Sequence, residues 1–344
     1  MTLRVLHAPY AVAGHAPQLA AAERDLGLDS VSVALAGSGV AREVQRWRFL
    51  RRALRDFDVV HFNFGSTFLP RWWPSAHHGV RAAFGAYART VELRDLAWLQ
   101  RAGKAVFVTF QGDDVRTADA VRPRLDDTRW VDDYYDPRDD SRKTHAARRL
   151  AAADGVFVLN PDLLGLVPGA GFLPYANVDL RAYARAPLPQ HDRVVVVHAP
   201  TDRRVKGTEH VVAAARGDFE LRLIENASRD DVRRALEAGD VYVDQLLLGW
   251  YGGTAVEAMA LGRPVIAYLH DDDLARIPPE MRRDLPIVSA TPTTLEAAIE
   301  TAFARREELA ERGRAYVERW HDPVRIAART KAAYEDAVAR ISRR

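Results

Sequence analysis

Glu257 is the only charged residue in an apolar helical stretch, and two glycines stand just ahead of it. The run YGGTAVEAMALGRPVIAY covers Tyr251 to Tyr268. Gly252 and Gly253 let a ligand come close to the main chain. The amides of Gly253, Thr254 and Ala255, at the start of a helix, can hold a phosphate. One turn deeper, the Glu257 carboxylate can accept hydrogen bonds from paired ribose hydroxyls. The same residues also read as local structure. Thr254-x-x-Glu257 fits a capping box, and a carboxylate there suits the positive end of the helix. The two uses are compatible.

Three other stretches carry chemistry. HAPTDRRVKGTEHVV places Arg203, Arg204 and Lys206 at a strand end, before a helix that opens at Gly207-Thr208. It is either a solvated basic turn or a cationic clamp suited to phosphoryl charge that grows in a transition state. VFVTFQGDDVR, residues 106–116, is a strand followed by a polar turn with Gln111, Asp113 and Asp114. The carboxyl end of a parallel strand favours ligand contact, and an Asx-type turn is the structural alternative. In DVVHFNFG, residues 58–65, His61 and Asn63 share one strand face. A buried histidine there is either a hydrogen-bonded core residue or an acceptor contact.

These residues need a frame. The chain has 344 residues, enough for two domains. It is 48% hydrophobic and 28% charged with a net charge of +2, which argues against a dedicated nucleic-acid binder. It has no cysteine, which excludes disulfides, zinc-thiolate sites and thiol nucleophiles. MTLRVLHAPY enters a strand without a signal-peptide pattern, and no apolar run approaches a membrane span, so a soluble cytoplasmic protein is expected.

Ten β-branched runs alternate with helical patterns, which predicts βαβ units and parallel sheets. The runs are LRVLHA, SVSVAL, DVVHFNF, AVFVTF, GVFVLN, RVVVVHA, FELRLIE, DVYVDQ, RPVIAYL and LPIVSA. The pattern begins twice, each time as a strand followed by His-Ala-Pro, and APLPQHDR between the halves reads as a linker. Two Rossmann-like domains follow, 1–187 and 188–325, with a ligand cleft expected at the carboxyl ends of their strands. Neither half has G-x-G-x-x-G after its first strand, and there is no Walker A lysine motif and no H-E-x-x-H.

GWYGGTAVEAMALGRPVIAY resembles the signature of retaining nucleotide-sugar glycosyltransferases of the GT-B fold, family four. The match at E-A-M-A-L-G-R-P-V, 257–265, is close. The resemblance implies that Glu257 binds the donor ribose and that the amides after Gly252 bind the diphosphate. The family's first Glu falls on Gly249, leaving Asp244 or Gln245 of DQLLLGWYG as substitutes. The family's Arg-x(4)-Lys-Gly matches at Lys206-Gly207, while its Arg falls on Thr201, so that charge is expected from Arg203 or Arg204. QGDD is similar to the family's His-Gly-x-Asp, with Gln111 in place of His, Asp114 matching the Asp and Asp113 additional. His61 and Asn63, with Asp113, are acceptor-side candidates. Gly14 in YAVAGHAPQLA stands where the family has a glycine-rich loop under the donor.

The resemblance implies a nucleotide-diphosphate sugar as co-substrate, no cofactor and no metal. Transfer to a sugar, lipid-linked or small-molecule acceptor would keep anomeric configuration, and the last helix, 326–344, would return to the N-terminal domain. Two alternatives use the same fold: a nucleotide-sugar 2-epimerase, and a catalytically silent nucleotide-sugar-binding subunit. HDDDLARIPPE reads as a solvated loop and DDTRWVDDYYDPRDDSRK as an exposed insertion. QRWRFLRRALRDF with FLPRWWPSAHH offers a basic amphipathic surface for peripheral membrane contact, against ordinary packing.

Overall fold

The computed structural model describes residues 2–36, 39–69, 85, 87–125, 128–215 and 219–343. It contains two parallel sheets. The first has the order β2-β1-β3-β4-β5-β6, with β1 Arg4–Ala8, β2 Asp29–Ser32, β3 Val59–Asn63, β4 Ala105–Phe110, β5 Gly155–Val158 and β6 Gly171–Phe172. The second has the order β11-β10-β9-β7-β8, with β7 Val194–His198, β8 Phe219–Leu223, β9 Val241–Val243, β10 Val265–Ala267 and β11 Val288–Ser289. All ten expected strands form, and β6 is an eleventh. The central strands β3 and β4 are buried at every position, and apart from His61, Asn63 and Thr109 they are apolar on both faces.

The chain divides into two compact units. One comprises 1–117, 137–176 and 323–344, and the other 118–136 and 177–322. The division between the sheets thus falls at 176/177, eleven residues ahead of the boundary expected at 187/188. The linker residues Ala186 and Pro187 lie within the second unit, where the buried Arg263 guanidinium donates to the Pro187 carbonyl at 2.7 Å.

In the first unit, helix α1 (His15–Asp25) follows β1. The long helix α4 (Pro323–Ser342) completes this unit as expected, placing Tyr334 and Ala337 in a core with Val5, Val59 and Phe107. The second unit packs Val196, Val211, Val243, Ile266 and Ile299 together. Two of its helices bear on the site: α2 (Arg229–Glu237) and α3 (Gly253–Ala260).

Two expectations are corrected here. DDTRWVDDYYDPRDDSRK is not an exposed insertion. Val131 and Tyr135 are buried against Val205 and Leu248 in the second unit, and Pro137–Leu150 is a helix of the first. HDDDLARIPPE is not a solvated loop. Asp271–Arg276 is helical, and Asp273 is fully buried in an ion pair with Arg124. The basic helix forms over Gly39–Asp56, with Val40, Val44 and Trp47 exposed, while residues 70–78 of the neighbouring stretch lie outside the described residues. Among the described residues no helix is long and apolar enough to cross a membrane.

A buried polar network joins α4 to the first sheet. His61 Nδ1 is 2.5 Å from the Tyr334 hydroxyl, and its Nε2 is 2.7 Å from Thr109 Oγ1. Glu23 accepts from Thr330 and Ser30 and meets His7 Nε2 at 2.8 Å. His15 is fully buried, and its Nδ1 accepts the Ala176 amide at 3.0 Å. Burial, assisted by His7, pushes the His15 imidazole down from 6.5 to about 3, and burial holds His61 well below its ordinary value. The unfolded chain therefore takes up protons near pH 6.5 that the folded unit resists. Stability falls as pH drops below that value, by at most about 1.4 kcal/mol per pH unit for each such site. Thermal melts should show a lower Tm at pH 5 than at pH 7, and a shallower decline for His15→Gln than for wild type. Asp95, pushed up to about 6 by burial, works in the opposite sense but is common to both proteins. Equal slopes would show that His15 does not carry the linkage.

Candidate functional site

The second unit gathers its candidate residues at the carboxyl ends of its strands. After β7, Asp202 accepts the Arg204 amide and caps the short turn Arg203–Lys206. The turn ends at Gly207, whose φ of 70° suits glycine. Lys206 reaches Asp244, at the end of β9, with Nζ 2.7 Å from Oδ1. Asp244 Oδ2 in turn accepts the amide of Gly252 at 2.5 Å. A Cβ on Gly252 would sit 3.1 Å from the Lys206 ammonium. The amino end of α3 therefore carries a cation at its side, with the amides of Gly253 and Thr254 in the first helical turn, where no intrahelical acceptor exists.

Glu257 is 5% exposed. Its Oε1 accepts from Arg229 Nε at 2.9 Å, from Arg229 Nη2 at 2.5 Å and from Asn177 Nδ2 at 3.4 Å. Burial pushes this carboxyl up, and the Arg229 guanidinium opposes it. Asn177 Nδ2 also donates to the Gly253 carbonyl at 3.0 Å. The expected capping box does not form. The helix begins at Gly253 behind a Gly252 cap that supplies no side chain, so Thr254 and Glu257 fall two positions too deep. Arg229, Asn177 and Tyr183, whose ring lies 5.9 Å from the Arg229 guanidinium, were missed by the sequence reading. A usable signal existed for Arg229. Ser228-x-x-Asp231 forms a complete capping box, which fixes Arg229 as the first residue of α2 just beyond β8.

Arg203 and Arg204 are engaged away from Lys206. Arg203 bonds Glu209 at 2.9 Å and Glu225 at 2.8 Å. Arg204 bonds Asp202, donates to the Asp133 carbonyl at 2.7 Å and lies 5.1 Å from the Tyr134 ring. Gln245 is tied to the Trp250 carbonyl. Gly249 has φ 73°, and a Cβ there would meet His270 Cβ at 2.8 Å and Arg124 Nη2 at 3.1 Å. Packing alone excludes a glutamate at that position.

The first unit holds the remaining candidates. Asp114 accepts the amides of Gly112 at 2.7 Å and Gln111 at 3.0 Å, residues that precede it, so the expected Asx-type turn is not what forms, and burial pushes its carboxyl up to about 6. Arg116 lies 3.7 Å from Asp113 and forks onto Asp162. Gln111 Nε2 and Asn63 Oδ1 are buried without a hydrogen-bond partner among the described residues. His61 is fully buried with both ring nitrogens engaged, so its place is structural and the acceptor-side role is not one this geometry offers. Gly14 has φ 73° and caps α1. Among the described residues no three His, Asp or Glu side chains form a group able to hold a metal ion.

Two parallel α/β sheets and a returning C-terminal helix define the GT-B fold of glycosyltransferases. Sucrose-phosphate synthase from Thermosynechococcus elongatus has this fold at a TM-score of 0.63 and 16% identity, covering 98% of this chain and 100% of that one. The catalytic domain of starch synthase IV from Arabidopsis thaliana, solved with ADP and acarbose, gives 0.59 and 11%, covering 98% and 100%. S. aureus TarM, solved with UDP, gives 0.52 and 11%, covering 85% of this chain and 59% of that one. No family model matches the sequence, and no curated protein matches it.

Gly249→Ala should destabilise the chain, because the left-handed backbone and the His270 contact both oppose a methyl group. The loss expected is about 1 to 2 kcal/mol from the backbone term alone, read as a drop in denaturation midpoint. An unchanged midpoint would show that this loop shifts freely.

Proposed function

We propose that the chain is a glycosyltransferase that moves a sugar from a nucleoside-diphosphate sugar to an acceptor hydroxyl with retention of configuration and without a metal. The observation that carries this reading is the Lys206 ammonium beside Gly252 at the amino end of α3, with Glu257 one turn inside. The diphosphate lies against the amides of Gly253 and Thr254, the expected Ala255 amide being turned onto the Gly252 carbonyl at 3.2 Å, and Glu257 takes the ribose hydroxyls. The bond from the anomeric carbon to the diphosphate oxygen breaks, and its electron pair stays with the leaving group. Lys206 and the helix amides stabilise the charge that collects there. The acceptor oxygen bonds to the anomeric carbon on the same face and gives its proton to the departing phosphate. We assign acceptor contacts to Gln111, Asn63 and Asp113 of the first unit, with Asp114 fixing the turn that presents them. The exposed Val40, Val44 and Trp47, flanked by Arg48 and Arg51, support a peripheral membrane contact for a lipid-linked acceptor.

Lys206 contributes more once the leaving group has gained charge than before. Lys206→Ala should cut kcat by about a hundredfold, with a smaller change in donor KM. Steady-state kinetics beside a melting curve checks this, since the variant also leaves Asp244 without its partner. Near-wild-type kcat would remove Lys206 from the reaction. Donor binding without transfer or donor hydrolysis would favour a silent binding subunit, and epimerised donor would favour the 2-epimerase. Turnover in excess EDTA should match turnover without it. A loss restored by magnesium or manganese would overturn the metal-independent mechanism.

A further inference from the structure

The site as proposed contains a conflict. Paired ribose hydroxyls call on both oxygens of a carboxylate, yet Glu257 Oε1 already receives two guanidinium N–H groups and an amide. The positions expected to supply a second cation do not bring one to the site. Position 201 is a threonine, and Arg203 and Arg204 are held in their own ion pairs. One residue answers both problems. We propose that Arg229 is a two-position residue, paired with Glu257 in the empty site and moved onto the diphosphate when the ribose takes Glu257. This inference rests on the nucleotide-sugar reading above and deepens it.

The placement supports the exchange. The Ser228 cap puts Arg229 at the head of α2, beyond the carboxyl end of β8. β8 is the direct parallel neighbour of β7, whose following turn carries Lys206, so both cations follow the carboxyl ends of adjacent strands. Arg229 Nη2 also donates to the Asn177 carbonyl at 2.5 Å, but its side chain is 44% exposed against 7% for the Glu257 side chain. Of the pair, the guanidinium is the member with open space beside it. Glu257 lies four residues inside α3 from Gly253, about 6 Å along the axis. Asn177 touches both levels, bonding Glu257 and the Gly253 carbonyl, and its buried Oδ1 has no partner among the described residues. A ligand spanning ribose and diphosphate spans the same interval. Such a ligand supplies hydroxyl donors for the carboxylate and an anion for the displaced guanidinium, so neither charge is left unpaired.

The exchange makes the two halves of the ligand respond in opposite directions to loss of Arg229. A nucleoside without phosphates must displace Arg229 and gives it nothing in return. A nucleoside 5′-diphosphate displaces it and recaptures it. The test is calorimetric titration of the full chain with adenosine, guanosine, uridine and thymidine and with their 5′-diphosphates, for wild type, Arg229→Ala and Arg229→Gln. The glutamine variant keeps a donor for Glu257 should the alanine variant fail to fold. For the base that binds, nucleoside affinity should hold or rise in the variants and diphosphate affinity should fall about tenfold, the scale of one charge-assisted hydrogen bond. If both ligands weaken by the same factor, or diphosphate affinity is unchanged, Arg229 is a fixed structural partner of Glu257 and the exchange is wrong, while the nucleotide reading stands. If wild type binds none of the eight ligands, the nucleotide reading fails and the exchange fails with it.

Discussion

Asp244 holds the second unit's site together. Its carboxylate has no open surface, and a buried carboxylate is costly unless its oxygens are met by donors. Oδ1 meets the Lys206 ammonium at 2.7 Å and the Tyr242 hydroxyl at 3.3 Å, and Oδ2 meets the Gly252 amide at 2.5 Å. One side chain thus ties the turn after β7, the end of β9 and the entry to α3. The lysine is held with 12% of its side chain exposed, so its rotamer freedom is lost on folding rather than on binding. A cation fixed in this way needs no reorganisation when charge develops beside it.

Much of the architecture was legible because buried parallel strands must be apolar on both faces. β6 escaped notice because two residues, Gly171 and Phe172, carry no period. The packing of 118–136 was hidden because Val131 and Tyr135 stand among aspartates, and only their contact with Val205 and Leu248 reveals them as core. At the site, the glycine pair and Lys206 stood out by local spacing. The Lys206–Asp244 bond joins residues 38 apart and the Arg229–Glu257 bond residues 28 apart, and no local pattern encodes such a pairing. The capping reading of Thr254 and Glu257 failed by two positions, since Gly252, which has no side chain, caps α3.

The repeated His-Ala-Pro has a structural explanation that the sequence alone did not give. His7 on β1 meets Glu23 on α1 at 2.8 Å, and His198 on β7 meets Thr208, the first residue of the helix Thr208–Ala214, at 2.9 Å. Each histidine fastens the first strand of its unit to a helix that follows. Burial pushes His198 down to about 4, as expected of an imidazole that serves as a neutral strut. The repetition therefore has a use in the build of each sheet.

The place of α4 bears on biosynthesis. Tyr334 and Ala337 fill the core around Val5, Val59 and Phe107, so the first unit draws on segments separated by the whole of 177–322. A ribosome delivers those segments at well-separated times, and domains made in one stretch generally fold as they emerge. Here the second unit has all its strands on hand before the first can close. Until α4 arrives, the nascent chain carries an open apolar face on β1, β3 and β4, and the interval is set by the rate of elongation rather than by the fold.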